Sequence, residues 1–145
     1  LHIGAKNWSW IDPAQVVASV DTAIVETDKY IDNHLAIAKK LNKPMVIEEF
    51  GYPRDNHKYT LDDTTAARDT YYSNIFSKII SSKENNGLIA GCNFWTWGGF
   101  GRPAHTFWEP WDDYVGDPSQ EEQGLNSVFD TDTTIKVIKS YTQKL

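Results

Sequence analysis

The chain has 145 residues, 40% of them hydrophobic and 23% charged, with a formal net charge of −6. That is the size of one ordinary globular domain, and the acidic balance leaves no basic footprint for nucleic acid. No apolar stretch approaches the ~20 residues that span a bilayer. The single cysteine, Cys92, excludes an internal disulfide and a cysteine-rich zinc site, and its apolar surroundings read as those of a small buried hydrophobe.

In chain order, "LHI" at residues 1–3 is short, apolar and compatible with a strand. The opening "LHIGAKNWSW" has no basic segment followed by an apolar one, so no signal peptide is predicted, and it reads as the interior of a longer chain. Asp12-Pro13 supplies a helix N-cap followed by proline in the first turn. A helix is predicted from residue 13 to about 41, with Ile31, Leu35, Ala38 and Leu41 on one face and a candidate break around 20–25. Asn42-Lys43-Pro44 stops it. "PMVIEEF" then reads as a buried strand of a parallel sheet, almost continuously apolar until Glu48 and Glu49.

"GYPRDNHKYT" is rich in turn formers and reads as a loop. A second helix is predicted to start at Asp62 or Asp63, with Ala67, Tyr71, Tyr72, Ile75, Phe76, Ile79 and Ile80 as its stripe and Asn86-Gly87 as its end. "LIAGCNFWTW" is the next strand. A loop from about 98 to 123 follows, with four glycines, three prolines, two tryptophans and many acids. Loops of this length without structure of their own are usually functional or disordered; Phe107, Trp108, Trp111 and Tyr114 favour packing over disorder. "GLNSVFD" brings the chain back, and a last helix is predicted over about 133–143.

Strands alternating with helices imply a parallel sheet with covering helices. His2 and Glu49 are 47 residues apart, Glu49 and Trp95 46, and all three fall toward the C-terminal ends of their strands. In a parallel α/β fold that edge carries the active site, above all in the (β/α)8 TIM barrel, which takes about 250 residues. The expected fold is therefore α/β, a partial TIM barrel holding approximately its last three βα units. Residues 1–145 are expected to form one unit, the C-terminal portion of a barrel with strands six to eight and their helices.

Burying two neighbouring carboxylates in an apolar strand is costly. Alternation along a strand sends Glu48 and Glu49 to opposite faces. They are either strand-end carboxylates satisfied by cations and backbone N–H groups, or they include a catalytic group at the barrel rim. His2 alone is weak evidence. His34, His57 and His105 have no metal-ligand spacing, Asp130-Thr131-Asp132 lacks the glycine and distal glutamate of a calcium loop, and no metal or cofactor is assigned. Asn7-Trp8-Ser9 matches a glycosylation acceptor that is frequent by chance.

The six tryptophans come as close pairs beside polar residues: Trp8 and Trp10, Trp95 and Trp97, Trp108 and Trp111. In "NFWTWGG", Asn93, Trp95 and Trp97 are predicted to share one strand face. A tryptophan at a barrel mouth is a flat apolar plate, and the C–H face of a pyranose ring stacks on such a plate.

"KPMVIEEFGYPRD", then "GCNFWTWGG", then "GDPSQEEQGLNSVFDTD" resemble the C-terminal part of glycoside hydrolase family 5, most of all its endo-β-1,4-mannanases. The resemblance covers nearly the whole chain. It implies retaining hydrolysis of β-mannan or a related polysaccharide, with no cofactor. It maps the family's nucleophile to Glu49, followed by Phe50 and Gly51, and makes Glu48 a supporting, substrate-side residue. It maps the histidine of strand six to His2, as support for the nucleophile, and the sugar-stacking tryptophan to Trp95 first and Trp97 second. Gly4 stands where the family has an aromatic residue, and Trp8 is expected to fill part of that space. Trp108, Trp111, Asp112 and Asp113 either line the cleft or belong to a loop packed against its own barrel.

The family's acid/base is a glutamate in an Asn-Glu pair, and these 145 residues contain no such pair. The isolated chain is accordingly expected to be inactive, with the N-terminal part of the barrel, or a second copy, as a candidate partner. A polymeric substrate implies an extracellular or periplasmic location. The alternatives are another family 5 β-glycanase such as a cellulase, and a non-catalytic carbohydrate-binding fragment.

Overall fold

The structure is a computed structural model and describes residues 1–144. Its elements are β1 (His2–Ile3), α1 (Val20–Leu41), β2 (Met45–Ile47), β3 (Glu49–Phe50), α2 (Ala66–Glu84), β4 (Ile89–Cys92), β5 (Trp97–Gly99), β6 (Val128–Phe129) and α3 (Thr134–Thr142). All pairings are parallel: β1 with β3, β2 with β4, and β5 with β6. Only Glu48 separates β2 from β3, and its N–H donates to the Leu1 carbonyl at 2.7 Å, so 45–50 is one run between β1 and β4. The sheet is open among the described residues.

The alternating order is as expected; several boundaries are not. Residues 13–19 form turns, and α1 begins at Val20. Asp12 accepts the Ala14 N–H at 2.9 Å, and the Ser19 hydroxyl accepts the Asp12 N–H at 3.0 Å and donates to the Gln15 carbonyl at 2.8 Å. These local bonds offer the backbone an alternative to helix. From Val20 to Leu41 the helix is then unbroken.

α2 begins at Ala66, three or four residues later than expected, because its cap comes from elsewhere. The Asp55 carboxylate accepts the N–H groups of Ala66 and Ala67, both at 2.9 Å, satisfying orphan donors of the first turn and placing negative charge at the positive end of the helix. Asp63, one of the two expected starting residues, instead holds Asn56.

The third predicted strand is two. β4 stops at Cys92, and Trp97 belongs to β5, so Asn93, Trp95 and Trp97 do not share a strand face. Between them the backbone changes partners. The Trp95 N–H donates to the Phe50 carbonyl at 2.7 Å, whereas the next N–H, of Thr96, goes to the Asn126 carbonyl at 3.3 Å; the peptide joining Trp95 to Thr96 is cis.

The core lies between the sheet and the helices. Ile3, Ile47 and Phe50 from the strands meet Ile31 of α1 and Tyr71, Tyr72, Ile75 and Phe76 of α2. Phe50 packs edge-on to Tyr72 and Phe76 at 4.9 and 5.8 Å between ring centroids. Each large apolar side chain removed from water contributes about 1.5–3 kcal/mol before the entropy of ordering it. Val46 alternates with buried Met45 and Ile47 and is exposed.

Two arginines are also fully buried. Arg68 donates to the carbonyls of Tyr52, Leu125 and Ser127 at 2.7, 2.6 and 3.0 Å. Arg54 donates from Nη2 to both Asp132 oxygens at 2.9 Å and, from its other two nitrogens, to the Asp63 and Gly124 carbonyls. Together they tie the loop after β3 and the start of α2 to the segment that leads into β6.

Candidate active site

The parallel register puts His2 directly opposite Glu49. An ionised carboxylate only accepts hydrogen bonds, so His2 Nδ1–H donates to Glu49 Oε2, at 2.7 Å. The other ring nitrogen, Nε2, lies 3.4 Å from Glu48 Oε2. The expected separation of the two carboxylates therefore does not extend to their ends: both reach one imidazole. All three side chains are well exposed.

A cleft of about 350 Å³ adjoins this edge, lined by Glu49, Phe50, Gly51 and Trp95, by Ile3 to Asn7, and by Glu121 and Asn126. Glu49 and Trp95 thus come together as the spacing suggested. The fixing of Trp95 is mostly backbone. Its carbonyl accepts the Tyr72 hydroxyl at 3.1 Å, and burial holds that phenol far above its ordinary range, so it stays a donor. A Cβ on Gly51 would lie 2.7 Å from the same carbonyl, so the residue two beyond Glu49 has to be glycine for Trp95 to sit this close.

The other wall was not anticipated from the sequence. Asp117, almost fully buried, accepts the N–H groups of Gly124, Asn126 and Ser127 at 2.9, 3.2 and 3.1 Å and the Ser127 hydroxyl at 2.6 Å. This fixes the turn carrying Asn126 and anchors one end of the segment carrying Glu121. Lys6, Asn7, Glu121 and Asn126 add one cation, one carboxylate and two amides to the cleft, the donors and acceptors a polyhydroxylated ligand requires. The available signal was their place inside "AKNW", a polar stretch just after His2, and inside "QEEQGLNS", part of the third motif.

The remaining candidates lie outside the cleft lining. Trp8 does cover Gly4: a Cβ there would be 3.4 Å from the Trp8 ring, which also packs edge-on to Trp10 at 4.9 Å and against Tyr30. Trp97 folds over Gly99. Trp108 stacks on Tyr114 at 5.5 Å, and Trp111 is in solvent. Cys92 is partly buried, and burial pushes its thiol up to about 11, so it is a poor nucleophile near neutrality. Among the described residues, no group of three or more His, Cys, Asp or Glu could hold a metal ion, and no helix is long and apolar enough to cross a membrane.

A family model described as "GH family 5 beta-mannosidase-like" matches residues 1–145. A putative mannan endo-1,4-β-mannosidase 9 of rice, Oryza sativa subsp. japonica, is 32% identical over 79 residues, covering 54% of this chain and 18% of the relative. Mannan endo-1,4-β-mannosidase 3 of Arabidopsis thaliana is 37% identical over 68 residues, 46% of this chain and 16% of the relative. Among solved structures, a mutant glycoside hydrolase family 5 mannosidase from Rhizomucor miehei, in complex with mannosyl-fructose, superposes with a TM-score of 0.89 at 34% identity, covering 99% of this chain and 36% of that one. This chain thus spans about a third of the mannosidase it matches. The match to the family model runs from the first residue to the last, and the chain belongs to the GH family 5 β-mannosidase-like family.

Proposed function

We propose that these residues are the nucleophile-bearing part of a partial (β/α)8 barrel that hydrolyses β-1,4-mannan with retention, as a mannan endo-1,4-β-mannosidase does. The observation that carries this reading is the pairing of Glu49 with His2 at 2.7 Å on the edge of a cleft that also holds Trp95. Glu49 attacks the anomeric carbon and forms a glycosyl–enzyme ester. His2 holds the attacking carboxylate in position through Nδ1–H, and Glu48 lies beside the other ring nitrogen at 3.4 Å. Trp95 offers a flat apolar face to the sugar at the cleavage point. Lys6, Asn7, Glu121 and Asn126 hydrogen-bond its hydroxyls. Trp8 supports the Gly4 wall, while Trp97, Trp108 and Trp111 act on sugars beyond the cleft.

Retention requires a second carboxyl group about 5–5.5 Å from the nucleophile, protonating the leaving oxygen and then activating water. With no Asn-Glu pair in this sequence, that group is contributed from outside these 145 residues, and the whole enzyme works where mannan is found, outside the cytoplasm.

A leaving group that needs no protonation separates the two roles. Incubation of the chain with 2,4-dinitrophenyl 2-deoxy-2-fluoro-β-mannoside is expected to label Glu49 in peptide mass spectra, while mannan itself is not turned over. Labelling of another carboxylate would overturn the nucleophile assignment. Mannan turnover by the chain alone, lost in Glu49→Gln by a factor on the order of 10⁴, would overturn the placement of the acid/base elsewhere.

A further inference from the structure

His57 stands apart from the side chains described so far. It lies in the loop between β3 and α2, and its Nε2 is buried without a hydrogen-bond partner. Most buried side-chain polar atoms find a partner, so an orphan calls for a reason. The atoms that enclose this Nε2 all belong to the chain itself, so further segments of a longer protein would leave it enclosed. The backbone there is unusual as well. His57 has φ of 54°, a left-handed conformation that few residues other than glycine adopt.

The loop's own bonds hold this conformation. The His57 N–H donates to the Arg54 carbonyl at 2.9 Å, and the Asp55 N–H to the Thr64 carbonyl at 3.0 Å. The Asn56 N–H donates to Asp63 Oδ2 at 3.0 Å. Closed on itself in this way, the loop sets Tyr59 against Gly124. A Cβ on Gly124 would lie 2.7 Å from the Tyr59 carbonyl and 3.0 Å from the Pro103 ring. The Gly124 N–H is fastened to Asp117 at 2.9 Å. The loop after β3 therefore rests directly on the turn that presents Glu121 and Asn126 to the cleft.

His57 also meets that wall through charge. The charged groups that act on it are Lys6, from the segment after β1, and Glu122, from the loop after β5. Lys6 lines the cleft, and Glu122 follows Glu121, which does too. In its own loop Arg54 is held by Asp132, Asp55 by the first N–H groups of α2 and Asp63 by Asn56, while Asp62 interacts with Thr60 and Lys58. Burial, then the Lys6 ammonium, lower the His57 pKa, and Glu122 opposes them. The uncharged ring thus suits its place. An imidazolium carries a hydrogen on both nitrogens, so a proton would turn Nε2 into a buried donor without an acceptor, and would set a cation against Lys6.

We infer that uncharged His57 is a positioning residue for the cleft: it clamps the β3–α2 loop onto the Gly124 turn, keeps Glu121 and Asn126 in place, and releases them when the ring takes a proton. The clamp does not depend on the identity of the sugar. Its contribution is complete above the ordinary histidine value and is lost progressively as pH falls from there toward the lowered one.

NMR of the chain tests this, with the His57 ring signals and the exchange of the Gly124 and Asn126 amides, both bound to Asp117, followed against pH. The ring is expected to titrate below the ordinary histidine value, and both amides to lose protection over the same range. His57→Asn tolerates a left-handed backbone and takes no proton. Relative to that variant, wild-type protection is expected to fall by up to about tenfold per pH unit across the range. A ring that titrates at or above the ordinary value overturns the inference. So does a ring that titrates while both amides keep their protection. Both of these are read on the wild-type chain, so they hold even if the variant does not fold. The same loss of protection in a folded His57→Asn overturns the inference too, by assigning the release to another group.

Discussion

Arg68 is the single side chain on which most of the site's support converges. Its guanidinium is fully buried and serves three carbonyls 16, 57 and 59 residues away in sequence, with the Asp132 carboxylate 3.5 Å from it. Burial lowers its pKa, yet arginine starts high enough to stay charged. Replacing Arg68 by Met strands three buried acceptors and part of the charge on Asp132, which is expected to cost about 3–5 kcal/mol. Arg68→Lys rescues little, because one ammonium cannot point along three fixed directions. Urea titration followed by circular dichroism reads both, and an Arg68→Met midpoint equal to wild type would refute this account. None of this was legible in the sequence. Arg68 sits between Ala67 and Tyr71 of a stripe that was read correctly, but its partners are distant, and a one-dimensional pattern assigns charge to the solvent side by default. Glu49, His2 and Trp95 were legible because strand ends and regular spacing bring them to one edge without long-range information.

At the scale of elements, the predictable ones were those whose signals are local. The stripe of α2, the left-handed Asn86 after its end, and the start of α3 all follow from neighbours in sequence. The misplaced boundaries were decided by side chains from elsewhere: Asp55 capping α2, Asn126 drawing Thr96 away from β4. The turn over 105–112 is a local device with its own pH dependence. The hydrogen bond to Asp112, then the charges of Asp112 and Glu109, raise the His105 pKa above its ordinary value; the same hydrogen bond lowers that of Asp112. The His105 contribution is complete below the ordinary histidine value and is lost as pH rises through the raised one. The Asp112 contribution is present above the ordinary aspartate value and is lost as pH falls through the lowered one. The turn is therefore tightest at mildly acidic pH. Amide exchange at Asp112, followed by NMR together with the His105 ring signals, should slow in that window and quicken on either side of it. A profile unchanged by His105→Ala would sink the assignment.

At the scale of the molecule, the alternation of strand and helix signals correctly foretold parallel strands with covering helices. What it could not show is how much apolar surface the arrangement leaves uncovered, because that depends on which neighbours are present. Among the described residues β4 pairs only with β2. Beside it lies an apolar groove of about 240 Å³ between Phe76, Ile79 and Ile80 of α2, Cys92 and Phe94, and Ile138 and Tyr141 of α3. On the middle run Val46 faces out. An unpaired strand edge next to an apolar groove is a template for another chain. The isolated chain is expected to bind an apolar dye and to associate increasingly with concentration in sedimentation velocity runs. Ile138→Lys places a charge in the groove and should shift it toward monomer, whereas Trp111→Ala, on a different face, should not. A chain that stays monomeric and dye-free to its solubility limit would mean that this groove and strand edge are too small or too well screened by their surroundings to recruit a partner.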